Sequence, residues 1–175
     1  MQNLFETFRT KIPNFNADYK VDVFEKLSLY GGGSDEKRDS RGKYFETGYE
    51  LYIYAFFLGL YRNEFVSLPE KAKKENFRVP IKDWGNKSGK LLRKDFSQIQ
   101  EYIFSALMAK TEIDLIALEK GEIEEEIVIK NLIHQFESFT NGGLIFLKNK
   151  YEEHPAYFMR AAYLLDLIQE SNKLD

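Results

Sequence analysis

Nine of the ten residues from Leu51 to Leu60 are apolar, and wound as a helix they leave no wholly polar side. A helix that is apolar all round has to be covered on every side. Tyr44–Glu64 is therefore expected to be a helix at the centre of a core, which demands further helices with apolar stripes to enclose it. Gly48, Ala55 and Gly59 line one side of it, so a neighbour can bring its backbone close there. The most apolar run, Leu51–Tyr61, is eleven residues long, short of the roughly 20 that span a bilayer. No membrane association is expected.

The enclosing segments follow from apolar periodicity and from the residues that interrupt it. Phe5, Phe8 and Ile12 recur at helical spacing before Pro13 and predict a short packed arm. Asp18–Tyr30 puts Val21, Phe24 and Leu27 on one helical side ahead of Gly31, while Tyr19, Val21 and Val23 also alternate as in a strand; helix is the preferred assignment. Gly31–Lys43 holds four glycines, seven charges and no apolar residue, which predicts a mobile loop. Residues 65–90 contain Pro69, Pro80, Gly85 and Gly89 and are expected to be irregular, with a short helix near Pro69–Asn76 and an extended piece at Phe77–Ile81.

Leu91–Leu118 predicts one long helix with Phe96, Ile99, Ile103, Leu107 and Ile113 on its apolar face, closed by Gly121. Glu122–Thr140 predicts another, with acids at its start and Val128, Ile129, Leu132, Phe136 and Phe139 on one side, broken by Asn141, Gly142 and Gly143. A shorter helix then runs to Tyr151. Pro155 opens a terminal helix whose stripe includes Phe158, Leu164, Leu165 and Ile168. The expected fold class is mostly α: a single-domain irregular bundle of about five or six helices with one mobile glycine-rich loop and one irregular basic segment.

That basic segment is the main chemical feature. Between Lys71 and Lys94 nine basic residues face two acidic ones, a window of +7 in a chain whose formal charge is −3. Glu112–Glu126 holds seven acids against Lys120 alone. A local excess of cations suits a polyanion or an acidic protein surface. The residues singled out for anion or nucleic-acid binding are Trp84, Lys87, Lys90, Arg93, Lys94, Arg78 and Lys82, with Trp84 as the ring on which a base would stack. Its bland counterpart is a core tryptophan among solvated lysines. Trp84–Asp95 (WGNKSGKLLRKD) is not a phosphate loop, since three residues rather than four separate Gly85 from Gly89 and Leu91 replaces the hydroxyl residue. It is instead expected to be a cationic turn leading into a helix N-terminus, an arrangement suited to anions.

Signals for catalysis are weak. Glu46 with Glu50, and Lys110 with Asp114, each fall one helical turn apart and are the candidates for acid–base work. His134 and Glu137 have a ligand spacing but lie on the polar side of their helix, and there are only two histidines and no cysteine, so neither a metal nor another cofactor is expected. GxSxG and calcium-loop patterns are absent. Met1–Lys11 interrupts its apolar pattern with Glu6 and Arg9, unlike a signal peptide, so a cytoplasmic location is expected. The expected function is a non-catalytic binding or accessory protein that engages nucleic acid or another phosphate-rich partner. The alternatives are a small carboxylate enzyme with its site in a helical cleft and a structural oligomer in which basic and acidic segments of different subunits meet.

Overall fold

The computed structural model describes residues 4–30, 44–85, 95–159 and 162–171. The expected loop at Gly31–Lys43 lies outside them. Among the described residues the protein is mostly helical, with one small two-stranded sheet, and no helix is long and apolar enough to cross a membrane. The helices are α1 (Leu4–Arg9), α2 (Glu25–Leu27), α3 (Gly48–Tyr61), α4 (Ser97–Lys110), α5 (Leu115–Glu119), α6 (Glu125–Glu153) and α7 (Ala162–Ser171). The strands are β1 (Asn14–Asn16) and β2 (Lys74–Asn76). The chain forms two compact units, one from Met1–Asn14 and Asn76–Phe136, the other from Phe15–Glu75 and Glu137–Asp175.

In the first unit α1 packs on α4 and on a 3-10 turn, Ile81–Asp83. Phe8, Trp84, Ile103, Leu107, Leu132 and Phe136 are fully buried there, and the Phe8 ring meets both Phe104 and Phe136 at centroid distances of 5.6 and 6.1 Å. The expected Leu91–Leu118 helix is corrected to two. α4 begins at Ser97 and ends at Lys110; Thr111 is extended, and Asp114 then caps α5 by accepting from the N–H groups of Ile116 and Ala117 at 3.0 and 2.9 Å. A capping carboxylate satisfies donors that a continuous helix would not expose, so it starts a new helix where the apolar period alone would have run on. Gly121 closes α5 at φ 75°, in the expected place.

In the second unit α3 is the central helix. Leu51, Tyr52, Ala55, Phe56 and Leu58 are fully buried and Tyr54, Phe57 and Leu60 partly so, which bears out the all-round covering. It starts at Gly48 rather than Tyr44 because Thr47 and Glu50 form a reciprocal capping box. Asn63, in the left-handed region at φ 53°, follows its end. The Asp18–Tyr30 segment is helical, but its first turn, Lys20–Phe24, is a π-helix in which the Glu25 N–H donates to the Lys20 carbonyl. The wider turn brings Tyr19, Val23, Phe24 and Leu27 inside and leaves Val21 exposed, correcting the expected stripe. On α7 the inward residue is Leu167, and Leu165 faces out.

The expected break at Asn141–Gly143 does not occur, and α6 runs unbroken to Glu153. The glycines there answer a packing demand. A Cβ on Gly143 would overlap the Ala55 carbonyl oxygen, one on Gly142 the Glu64 carbonyl, and one on Gly59 the Phe139 carbonyl. Backbone therefore lies against backbone where α3 crosses α6, and the expected close approach at Ala55 and Gly59 is present. Asn141 is buried beside them and its Nδ2 donates to the Val66 carbonyl at 2.9 Å. The unit also contains an ion pair between Lys148 and Asp22 at 2.8 Å.

Candidate functional site

The basic segment is built from short, irregular pieces. A turn at Pro69–Ala72 replaces the expected helix, closed by the Ala72 N–H donating to the Pro69 carbonyl at 3.0 Å, and Lys74–Asn76 then forms β2. Three polar residues make a strand only because a partner is present: the Ala17 N–H donates to the Lys73 carbonyl at 2.8 Å. Arg78 is in the left-handed region at φ 57°, held there by its N–H donating to Asn76 Oδ1 at 3.0 Å. Pro80 precedes the Ile81–Asp83 turn, whose first N–H donates to the Lys11 carbonyl.

This local structure positions Trp84 inward. Trp84 has no exposed surface, its Nε1 donates to the Val79 carbonyl at 3.0 Å, and its ring contacts those of Phe77 and Phe136. Gln100, also buried, links the neighbourhood by donating from Nε2 to the Trp84 carbonyl and accepting from Arg9 Nε. The stacking role is thereby corrected: a ring with no exposed face cannot receive a base. Trp84 is a core residue with its one donor satisfied.

The cations behave differently. Lys71, Lys73, Lys74, Arg78 and Lys82 are all exposed, and none forms a salt bridge with a described residue. Glu75, one of the two acids within the segment, is held by Lys20 at 3.5 Å. Lys87, Lys90, Arg93 and Lys94 lie outside the described residues. The helix start expected to complete an anion cradle at Leu91 is instead at Ser97, where Asp95 Oδ1 accepts from the Ser97 N–H at 2.9 Å and from its hydroxyl at 2.7 Å. Those bonds hold the Asp95 carboxyl below its ordinary pKa. A carboxylate already serves this helix start; the residues of the expected cradle, 86–94, lie outside the described residues.

The arrangements suggested for acid–base work serve structure. Glu50 Oε2 accepts from the N–H groups of Glu46 and Thr47 at 2.8 and 3.1 Å, which makes it a cap rather than half of a carboxylate pair. Asp114 caps α5, whereas Lys110 lies in the last turn of α4. His134 is exposed, and the described residues contain no group of three acidic or histidine side chains able to hold a metal. Burial pushes the Tyr52 hydroxyl well above the ordinary tyrosine pKa, with the Glu137 charge adding to it. Tyr52 is fully buried, so this phenol is part of the core.

Three exposed apolar residues were not legible in the sequence. Leu115, Ile116 and Ile127 are 54%, 66% and 50% exposed, within the same stretch as the acidic residues. A single helix across residues 91–118 concealed the start of α5; the signal that would have revealed it is the capping position of Asp114. No family model matches this chain, and no match was found to a curated protein or a solved structure.

Proposed function

We propose that this chain is a cytoplasmic, non-catalytic accessory protein that binds nucleic acid or another phosphate-rich polymer through Lys71–Lys94. The observation that carries the reading is the exposure of Lys71, Lys73, Lys74, Arg78 and Lys82 without salt bridges to described residues. Cations left in water gain most from a partner that releases its condensed counterions on contact. With Trp84 in the core, recognition is directed at phosphates, and no preference for unstacked bases is expected from that ring.

Polarisation binding to single-stranded and duplex nucleic acid over a salt series tests this. Affinity falls with salt at a log–log slope of about −0.7 to −0.9 per neutralised phosphate. Lys73→Glu/Lys74→Glu/Lys82→Glu weakens binding and flattens the slope. Absence of binding at about 20 mM salt, where screening is weak, would sink the proposal.

A further inference from the structure

We infer that Lys20 is a further cation of the phosphate-binding surface and that Glu75 regulates it as a built-in competitor, a carboxylate that holds Lys20 until a phosphate takes its place. The inference rests on the proposed polymer binding and uses residues of the second unit alone. Lys20 is remote from the basic segment in sequence, yet two backbone bonds tie it there. The Lys20 N–H donates to the Ala17 carbonyl at 3.1 Å, and the Ala17 N–H donates to the Lys73 carbonyl at 2.8 Å. The Lys20 ammonium then reaches Glu75 Oε2 at 3.5 Å. Lys71, Lys73 and Lys74, just before Glu75 in the chain, are exposed and form no salt bridge with a described residue. Of these four cations, Lys20 is the one that already has a carboxylate on it.

The pair is built for exchange. Both side chains keep contact with water, at 41% exposure for Lys20 and 27% for Glu75, and 3.5 Å is longer than a tight charge-assisted hydrogen bond. An exposed pair of this kind is weak. A phosphate within a polymer also carries a negative charge and, unlike the carboxylate, releases a condensed counterion when an ammonium binds it. One ion pair replaces another: Lys20 leaves the carboxylate for a phosphate oxygen, and Glu75 returns to water. The freed Glu75 charge then opposes the phosphates drawn to Lys73 and Lys74. Glu75 therefore lowers both the affinity and its salt dependence without making a contact of its own to the polymer.

Polarisation binding over a salt series tests this on the full chain, with a labelled DNA duplex and a labelled inorganic polyphosphate chain as probes that tell nucleic acid from bare phosphate polymer. Glu75→Gln binds about two- to fivefold tighter than the parent, and its log–log slope is steeper by about 0.7 to 0.9, the value of one further phosphate. Lys20→Gln added to Glu75→Gln returns affinity and slope to the parental values, because the double variant lacks both members of the pair and has the parent's net charge. Glu153→Gln makes the same change of charge at an exposed position of α6 and leaves binding parental. Circular dichroism verifies that all three variants are folded. Parental affinity and slope for Glu75→Gln, a double variant as tight as Glu75→Gln, or equal tightening by Glu153→Gln overturns the inference while leaving the polymer reading in place. No binding of either probe by the parent or any variant at about 20 mM salt overturns the polymer reading, and the inference with it.

Discussion

At the scale of single residues, Trp84 shows how one position can have a different role from the segment that contains it. Trp84→Ala is expected to cost about 3 to 5 kcal/mol in chemical denaturation, as a fully buried ring is lost. Under conditions where that variant is folded, the salt slope of polymer binding stays at the parental value. Lys148 and Asp22 give a second residue-level expectation. The hydrogen bond from Lys148 holds the Asp22 carboxyl below its ordinary value of 3.8, and Asp22 in turn raises Lys148 above 10.5. The stabilisation from Asp22 is therefore complete above 3.8 and is lost as pH falls through the depressed value; that from Lys148 is complete below 10.5 and is lost as pH rises through the raised one. Melting temperatures of the parent and Asp22→Asn should differ at neutral pH and converge in acid. The pair joins residues 126 positions apart, and nothing in a single sequence marks such a partnership. The burial of Val128, Leu132 and Phe136, by contrast, was readable from their spacing alone.

Elements were legible where periodicity carried the signal and obscure where a distant backbone did. α3 and the stripe of α6 follow from apolar spacing. The continuity of α6 through Asn141–Gly143 does not, because the missing Cβ of glycine serves a helix end and a close helix crossing equally well. The deciding fact is the Ala55 carbonyl opposite Gly143, 88 residues earlier in the chain. Gly143→Ala should consequently destabilise the protein by about 1 to 3 kcal/mol or more, although alanine is the better helix former. Ala55→Leu should act in the same direction at a buried position of α3. A rise in the denaturation midpoint of Gly143→Ala would place this glycine in open space. β1 and β2 show the same limit in another form: at three residues each, Asn14-Phe15-Asn16 around one buried ring and the wholly polar Lys74-Glu75-Asn76, they are too short for alternation to mark them and are strands by virtue of pairing.

For the molecule as a whole, composition indicated a folded, aromatic-rich helical protein with its charge concentrated in opposing segments. It did not indicate two compact units assembled from alternating stretches of chain, because which helices meet is decided by tertiary packing and not by composition. α6 supplies Phe136 to the core of one and Leu144 and Leu147 to that of the other, so unfolding is expected to be cooperative through that helix. The single tryptophan provides a way to measure this. Trp84 is buried within one unit only, so its emission reports the melting of that unit, whereas far-ultraviolet dichroism reports helices throughout the chain. The two transitions should coincide in denaturant, and Gly143→Ala, which alters the other unit, should move both together. An emission midpoint left unchanged while the dichroism midpoint falls would mean that the halves melt independently. The placement of one indole thus turns the protein into its own optical gauge of cooperativity, with no dye or label added.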